Sequence, residues 1–207
     1  MRPLVVTTFL TLDGVMQAPG GPKEDTAGGF RWGGWLVPHF DDAMGAQMER
    51  WFAPAGDFLL GRGTYEIFAA HWPKVPTEGD PVGTALNTLT KHVASRTLTA
   101  PLEWETARLI EGDVPAAVRE LKARDGGELQ VHGSAGLVHT LLREDLVDEL
   151  RLITFPVVVG AGKRLFADDA APRSWRLTSS EVTSTGAVMA AYQRVGELET
   201  GDLTLPE

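Results

Sequence analysis

Short strand-like apolar runs alternate with stretches of helical period from the N-terminus to residue 159, and the chain closes on two β-segments around Thr185-Gly186. A chain ordered in this way folds as α/β, with a mostly parallel central sheet and an antiparallel C-terminal hairpin. Residues 4–12, rich in Val, Thr and Leu and ending in Asp13-Gly14, read as a strand and turn. A helix opened by Asp41 or Asp42 carries Met44, Met48, Trp51 and Phe52 on one face. Residues 57–61 form a short buried strand, 63–72 a helix, 73–81 a loop, and 91–97 and 106–110 two strands. Asp113 opens a further helix that Gly126-Gly127 ends. A strand over 128–132, a helix over 134–143 and a long or bent strand over 147–159 follow. The hairpin strands are expected near 176–184 and 187–195.

A chain of 207 residues fits one domain, here 1–195, followed by an acidic and flexible tail over 196–207. The formal charge of −9 argues against a protein that coats nucleic acid or an anionic membrane. A phosphate-bearing ligand remains open, provided its cations are local. The absence of Cys excludes disulfides, thiolate catalysis and cysteine metal sites, and fits a reducing compartment. The N-terminal residues lack the apolar core of a signal peptide, and no apolar run reaches membrane-spanning length. The expectation is a cytoplasmic protein with neither membrane nor nucleic acid as partner.

In open α/β sheets, ligands bind where strands end and helices begin. One such junction carries Gly61, Arg62, Gly63 and Thr64, where backbone amides and a guanidinium can meet an anion. A second carries Ser95 and Arg96. A third carries Gly133, Ser134, Ala135, Gly136 and Leu137. Each has an ordinary explanation as a turn or cap; together, in an acidic chain, they point to a ligand with several phosphates. The chain has no GxGxxG. Gly160-Ala161-Gly162-Lys163 resembles part of a P-loop, but Val157 replaces its first Gly and Arg164 its Ser or Thr. The five His show no zinc-binding spacing. His132-Gly133-Ser134-Ala135-Gly136 approaches a nucleophile elbow, yet no His follows His139, so the hydrolase order of triad residues is not met.

With these motifs placed, the chain resembles the dihydrofolate reductase superfamily. It is most similar to stand-alone relatives of the C-terminal reductase domain of the riboflavin-biosynthesis deaminase–reductase. The resemblance rests on TLDGV at 11–15, LLGRGTYE at 59–66, ASRTL at 94–98, ELQVHGSAGLVHTLL at 128–142 and LVDELRLITFPVVVGAGKRLF at 146–166. It implies a three-layer fold with NADPH across the carboxyl edge of the sheet. Arg62 and Thr64 would then hold phosphates, Ser95 and Arg96 would sit near the adenosine 2′-phosphate, and 133–137 would underlie the pyrophosphate and nicotinamide. Two Arg forks favour NADPH over NADH. The family often has Gly-Gly where this chain has Gly133-Ser134, and without Cys the deaminase half is absent.

The implied activity is hydride transfer to a small heterocyclic substrate of pyrimidine or pterin type. Asp13 and Asp41 are candidate acids for it, each with an alternative as turn residue or N-cap. Trp35, Phe40 and Phe155 are candidates for substrate contact, with a dimer contact or core packing as alternatives. A homodimer is expected from the resemblance. A nucleotide-binding protein without turnover, and a serine hydrolase using Ser134, are the competing functions.

Overall fold

The computed structural model describes residues 1–203 of the chain. Its strands are β1 (Leu4–Thr11), β2 (Ala55–Gly61), β3 (Thr90–Ala94), β4 (Ala107–Ile110), β5 (Glu128–Val131), β6 (Glu149–Phe155), β7 (Ser174–Val182) and β8 (Val188–Gly196). The helices are α1 (Asp42–Phe52), α2 (Arg62–His71), α3 (Pro81–Thr88), α4 (Val114–Ala123) and α5 (Ala135–Arg143). One sheet holds every strand in the order β4-β3-β2-β5-β1-β6-β8-β7. The pairings from β4 through to β6 are parallel; β8 runs antiparallel to β6, and β7 antiparallel to β8. This is the expected mostly parallel sheet with its antiparallel C-terminal hairpin.

Central strands of such a sheet are covered on both faces, so they need apolar residues throughout. β1, LVVTTFLT, is buried almost along its length, its threonines included. On one face Val118 and Leu121 of α4 and Leu137, Val138 and Leu141 of α5 pack on Leu4, Val6, Leu59, Leu129 and Val131. On the other, Phe52, Tyr65 and Leu86, from α1, α2 and α3, pack on Phe58, Leu60 and Val93. Helices therefore sandwich the sheet. Asp41, Asp80 and Asp113 each cap the following helix, accepting from the backbone N–H groups of Met44, Gly83 and Ala116.

Beneath α1, the Arg151 guanidinium bonds Glu128 at 2.7 Å, Glu149 at 2.6 Å and the Trp51 carbonyl at 2.9 Å. Gln130 donates to the same carbonyl at 2.6 Å. A cation at a helix C-terminus is favourable, and here it fastens the end of α1 to β5 and β6.

The structure corrects several boundaries. α3 lies in a stretch for which no element was expected, although Asp80-Pro81 is an N-cap followed by a proline at the first helical position. The strand expected over 147–159 is β6 alone and ends at Phe155, before Pro156. The tail expected over 196–207 starts at the last residue of β8, and 204–207 lie outside the described residues. Among the described residues no helix is long and apolar enough to cross a membrane.

The register decides where the sheet opens. β5 stops at Val131, opposite Val6, whereas β1 continues beside β6 until Thr11 meets Phe155. Beyond Val6, β1 therefore lacks a neighbour on its β5 side, and a notch opens between β1 and β2.

At the other end of the fold, Lys91 on β3 is fully buried and has no carboxylate partner among the described residues. Its ammonium donates to Thr106 Oγ1 at 2.6 Å and lies 4.1 Å from the centre of the Trp104 ring. Burial pulls its pKa down to about 8. Below pH 8 both folded and unfolded chains hold the proton, so the folded state bears the full cost of the buried charge. Between pH 8 and about 10.4 only the unfolded chain retains it, and stability rises with pH. Lys91→Met should accordingly raise unfolding stability by on the order of 1–3 kcal/mol at pH 7. Denaturant melts at pH 7 and pH 10 check this, the gain shrinking at the higher pH.

Candidate functional site

Two strand–helix junctions meet at the notch. β2 runs directly into α2 at Gly61, and β5 reaches α5 through Gly133 and Ser134. Their backbones touch: Gly61 N–H donates to the Gly133 carbonyl at 2.9 Å. A Cβ on Gly61 would lie 2.8 Å from Ser134 Oγ and 2.9 Å from its nitrogen. Gly133 has φ +127°, and a Cβ there would stand 2.7 Å from Thr64 Oγ1. Only glycine at both places lets the helices begin side by side.

Neither helix is capped by its own N-cap side chain. Ser134 Oγ instead reaches across to accept from Thr64 N at 3.1 Å and from Thr64 Oγ1 at 3.3 Å. It thus caps the neighbouring helix, and the first turn of α5, at Ala135 and Gly136, is left without a side-chain cap. Adjacent helix N-termini with amides to spare favour anions. The Ser95 turn lies alongside: Ser95 Oγ accepts from Thr97 N and Leu98 N, and Arg62 Nη1 donates to Thr97 Oγ1 at 3.0 Å. Arg62 also faces Glu66 at 3.7 Å. Arg96 is exposed and pairs with no described residue. The structure so brings Gly61, Arg62 and Thr64 together with Gly133, Ser134, Ala135 and Gly136, and joins the Ser95–Arg96 turn to them through Thr97. Leu137 is buried in the core beneath α5.

From this rim a cleft of about 150 Å³ descends along the unpaired edge of β1. Thr7, Thr8 and Phe9 line one side, Gly63, Thr64, Ile67 and Phe68 of α2 another, and Met16, Gln17, Glu24, Asp25 and Lys163 the outer wall. His132 and Ser134 complete the lining, Ser134 from the rim. Burial, aided by the charge of Arg151, pushes His132 down to about 3 and keeps it neutral. Its ring stacks on Phe52 at 4.8 Å. Glu24 moves the other way. Burial lifts its carboxyl above the ordinary range despite hydrogen bonds from Gly20 and Gly21, and the charge of Asp25 adds to the rise. Asp25 is paired with Lys163.

The proposed acids have other tasks here. Asp13 accepts from Thr11 Oγ1 at 2.6 Å and Gly160 N at 2.9 Å. Burial works to raise its pKa, but these bonds outweigh it and hold the group below the usual range, an anion that fastens the 157–165 loop to the end of β1. Asp41 is the α1 cap and accepts from Ser184 Oγ at 2.7 Å, a bond that keeps it ionised. Neither residue lines the cleft.

Trp35 and Phe155, expected to touch substrate, belong to the core. They are 8% and 0% exposed and meet edge-on with ring centres 5.4 Å apart. Trp35 Nε1 is spent on the Gln17 carbonyl at 2.8 Å. Phe155 sits behind Phe9, at 6.0 Å, and it is Phe9 that faces the cleft. Phe40 is 51% exposed and also outside the cleft lining. Ser134 has no histidine partner: His139 Nε2 is engaged at 2.9 Å with the Arg164 carbonyl. The hydrolase reading has no base. Glu24, Asp25, Lys163, Thr7 and His132 are not among the candidate site residues of the sequence; Glu24 and Asp25 lie in the long stretch between β1 and α1, which holds neither a strand nor an α-helix.

The contact between the junctions is testable. Gly61 has an ordinary extended backbone, so Gly61→Ala suffers from crowding alone and should cost about 1–3 kcal/mol in denaturant unfolding. Adding Ser134→Gly should restore only part of this, because the Ser134 backbone nitrogen is as close as its hydroxyl. Gly136→Ala, with open space at its Cβ, should be neutral or stabilising.

A family model described as the RibD C-terminal domain matches residues 2–189. The Bacillus subtilis (strain 168) protein YyaP, described as uncharacterized, is 26% identical over 194 residues, covering 92% of this chain and 94% of YyaP. A solved structure from Shewanella sp. PV-4, with a suggested place in riboflavin biosynthesis, superposes with a TM-score of 0.69 at 24% identity, covering 94% of this chain and 99% of that one. Dihydrofolate reductase from Enterococcus faecalis, complexed with NADP(H), shares the fold with a TM-score of 0.59 at 12% identity, covering 93% of this chain and 96% of that one. The match that extends from β1 into β8 is the one that classifies the molecule, and by it the chain belongs to the RibD C-terminal domain family.

Proposed function

We propose that this protein is an NADPH-dependent reductase of a small heterocyclic substrate. The observation that carries the reading is the pair of abutting helix N-termini at Gly61 and Ser134, opening onto a cleft beside the unpaired edge of β1. The residues present fit the cofactor. A Cβ at Gly61 or Gly133 would close the junction, Gly136 has open space above it, and the Arg96 guanidinium is uncommitted among the described residues. The first-turn amides of α5 and the Arg62–Thr64 turn would hold the pyrophosphate. Ser95, Arg96 and Arg62 would form a polar, cationic setting for a 2′-phosphate, which NADH lacks.

When bound, NADPH supplies the hydride. The chain contributes position and exclusion of water. Phe9, Met16, Ile67 and Phe68 offer apolar walls against which a flat ring can lie next to the Ser134–Ala135 turn. Glu24 is the cleft carboxyl that burial makes easier to protonate, so it is the group placed to pass a proton, a role for which Asp13 and Asp41 are too firmly ionised. The exposed face of β7, with Leu177 and Val182 in the open, supports a homodimer as the assembled form.

Side-by-side titrations of NADPH and NADH, read by thermal shift and tryptophan fluorescence, test the proposal. NADPH should stabilise the fold and bind at least about tenfold more tightly than NADH, the scale of one charge-assisted contact. Arg96→Ala should abolish most of that preference and leave the unfolding temperature of the ligand-free chain unchanged. No response to either dinucleotide would overturn the reading. Tight NADPH binding with no oxidation by aminopyrimidines or pterins would leave a nucleotide-binding protein without turnover.

A further inference from the structure

One costly feature of the fold plays no part in the cleft. Lys91 does not line it, and its buried ammonium has no carboxylate partner among the described residues. The contacts of that ammonium fall on one segment, residues 95–106, which joins β3 to β4. It donates to Thr106 Oγ1 at 2.6 Å and lies 4.1 Å from the centre of the Trp104 ring, while Lys91 N–H donates to the Thr106 carbonyl at 3.0 Å. Thr106 and Trp104 stand at the far end of the segment. Its near end is the Ser95–Arg96–Thr97 turn, where Ser95 Oγ accepts from Thr97 N and Leu98 N, and Thr97 Oγ1 accepts from Arg62.

Between these ends the segment has little behind it. A cavity of about 1220 Å³ is lined by Tyr65, Ala69 and Ala70 of α2 and by Thr97, Leu98 and Leu102 of the segment. The bond from Trp104 N to the Tyr65 hydroxyl is long, at 3.5 Å. Leu98 and Leu102 are only partly buried where they meet the core around Phe58, Leu60 and Val93, whereas Trp104 is 7% exposed. Trp104 and Thr106 are therefore the footing of the segment, and Lys91 meets both. An apolar side chain at 91 could fill the same space, yet it would leave the Thr106 hydroxyl without its donor and the indole face without a cation. Folds depart from apolar packing in this way mainly where function requires it.

We propose that Lys91 is a positioning residue for dinucleotide selection: by pinning Thr106 and Trp104 to β3, it fixes the segment whose other end presents Arg96 to a 2′-phosphate. This rests on the reductase reading for its ligand, and it assigns part of the selectivity to a residue outside both cleft and anion patch. The tie depends on a proton. Burial brings the ammonium to a pKa of about 8, and a neutral amine donates more weakly and loses its attraction to the indole face. The sheet neighbours of Lys91, Phe58 on β2 and Ala107 on β4, carry no charge, and neither does any residue of α3. Tyr65 is the titratable group that α2 brings to Trp104, and Glu103 and Glu105 on either side of Trp104 are exposed. His92, the next residue of β3, is turned toward Asp57. The preference for NADPH is accordingly full below pH 8 and declines as pH rises through it.

The experiment measures NADPH and NADH dissociation constants of the intact chain by tryptophan fluorescence between about pH 6.5 and 9.5, and amide hydrogen exchange over 95–106 without ligand. Lys91→Met should exchange faster over 95–106 although its global unfolding is harder. At pH 7 it should prefer NADPH about fivefold less than wild type does, with NADH affinity unchanged. Its preference should be flat with pH, whereas that of wild type should fall toward the variant's value as pH rises through about 8. Thr106→Val should reproduce the loss at pH 7, and Thr106→Ser should not, since a serine hydroxyl still accepts from the ammonium. Equal exchange over 95–106 in wild type and Lys91→Met, or equal selectivity with equal pH profiles, would remove the inference. NADPH binding with unaltered selectivity in the variant counts against this inference alone. Wild type that binds neither dinucleotide counts against the reductase reading, and the exchange data still decide whether Lys91 pins the segment.

Discussion

The contact on which the site depends is one of backbone on backbone, where Gly61 N–H meets the Gly133 carbonyl. Two strand–helix units can stand this close only because neither residue has a side chain at the point of contact. The consequences spread outward. α2 and α5 start next to each other, so their amide-rich ends share one patch of surface. Ser134 is brought within reach of Thr64 and caps a helix other than its own. β5 leaves the sheet at Val131, and the edge of β1 past Val6 is freed to line a cleft. A larger residue at position 61 would push these units apart and disturb the anion patch and the cleft together.

Charge is distributed with similar economy in a chain of formal charge −9. The acidic residues near the site divide by their surroundings rather than by type. Asp13 and Asp41 accept backbone and hydroxyl hydrogens, which stabilise the ionised form, and they serve as fasteners of loop and helix. Glu24 also accepts amide hydrogens, but its greater burial and the neighbouring Asp25 prevail, and its carboxyl stays easier to protonate. Cations divide as well. Arg151 is buried between carboxylates and holds the layers together, whereas Arg96 remains at the rim with no carboxylate paired to it among the described residues. An acidic protein can thus offer a cationic rim to one ligand and a carboxylate-lined cleft to another.

What could be read from the sequence follows how local each signal is. The Gly61–Thr64 and Gly133–Gly136 junctions were visible because a strand, a glycine turn and a helix start are encoded within a few consecutive residues. The α1 and α4 caps were visible for the same reason. α3 escaped notice since its few residues, PVGTALNT, show too little period to stand out, even though Asp80-Pro81 announces its start. Trp35 and Phe155 were assigned to the substrate because an aromatic residue in a long loop or at a strand end has the same appearance in sequence whether it walls a pocket or packs behind one. Phe9 was hidden within an apolar strand, and only the early end of β5 shows that its edge of β1 is free. Glu24 and Lys163 lie far apart in sequence, and nothing short of the folded chain places both on one cleft wall.

That wall also explains why the long loop after β1 behaves as a fixed part of the site. Val15 pairs with Arg164 in an antiparallel bridge, Met16 N donates to the Lys163 carbonyl at 2.8 Å, and Leu165 N donates to the Gly14 carbonyl at 3.1 Å. Asp13 holds the Gly160 amide from the same side, and Gln17 holds Lys163 N. The segments that leave β1 and β6 are in effect laced to each other, and each is anchored by a strand at the centre of the sheet. A carboxylate carried on a free loop would spend ordering entropy at every encounter with a ligand. Carried on two laced loops, Glu24 is already in place before a ligand arrives, so the cleft wall is prearranged rather than assembled by closure.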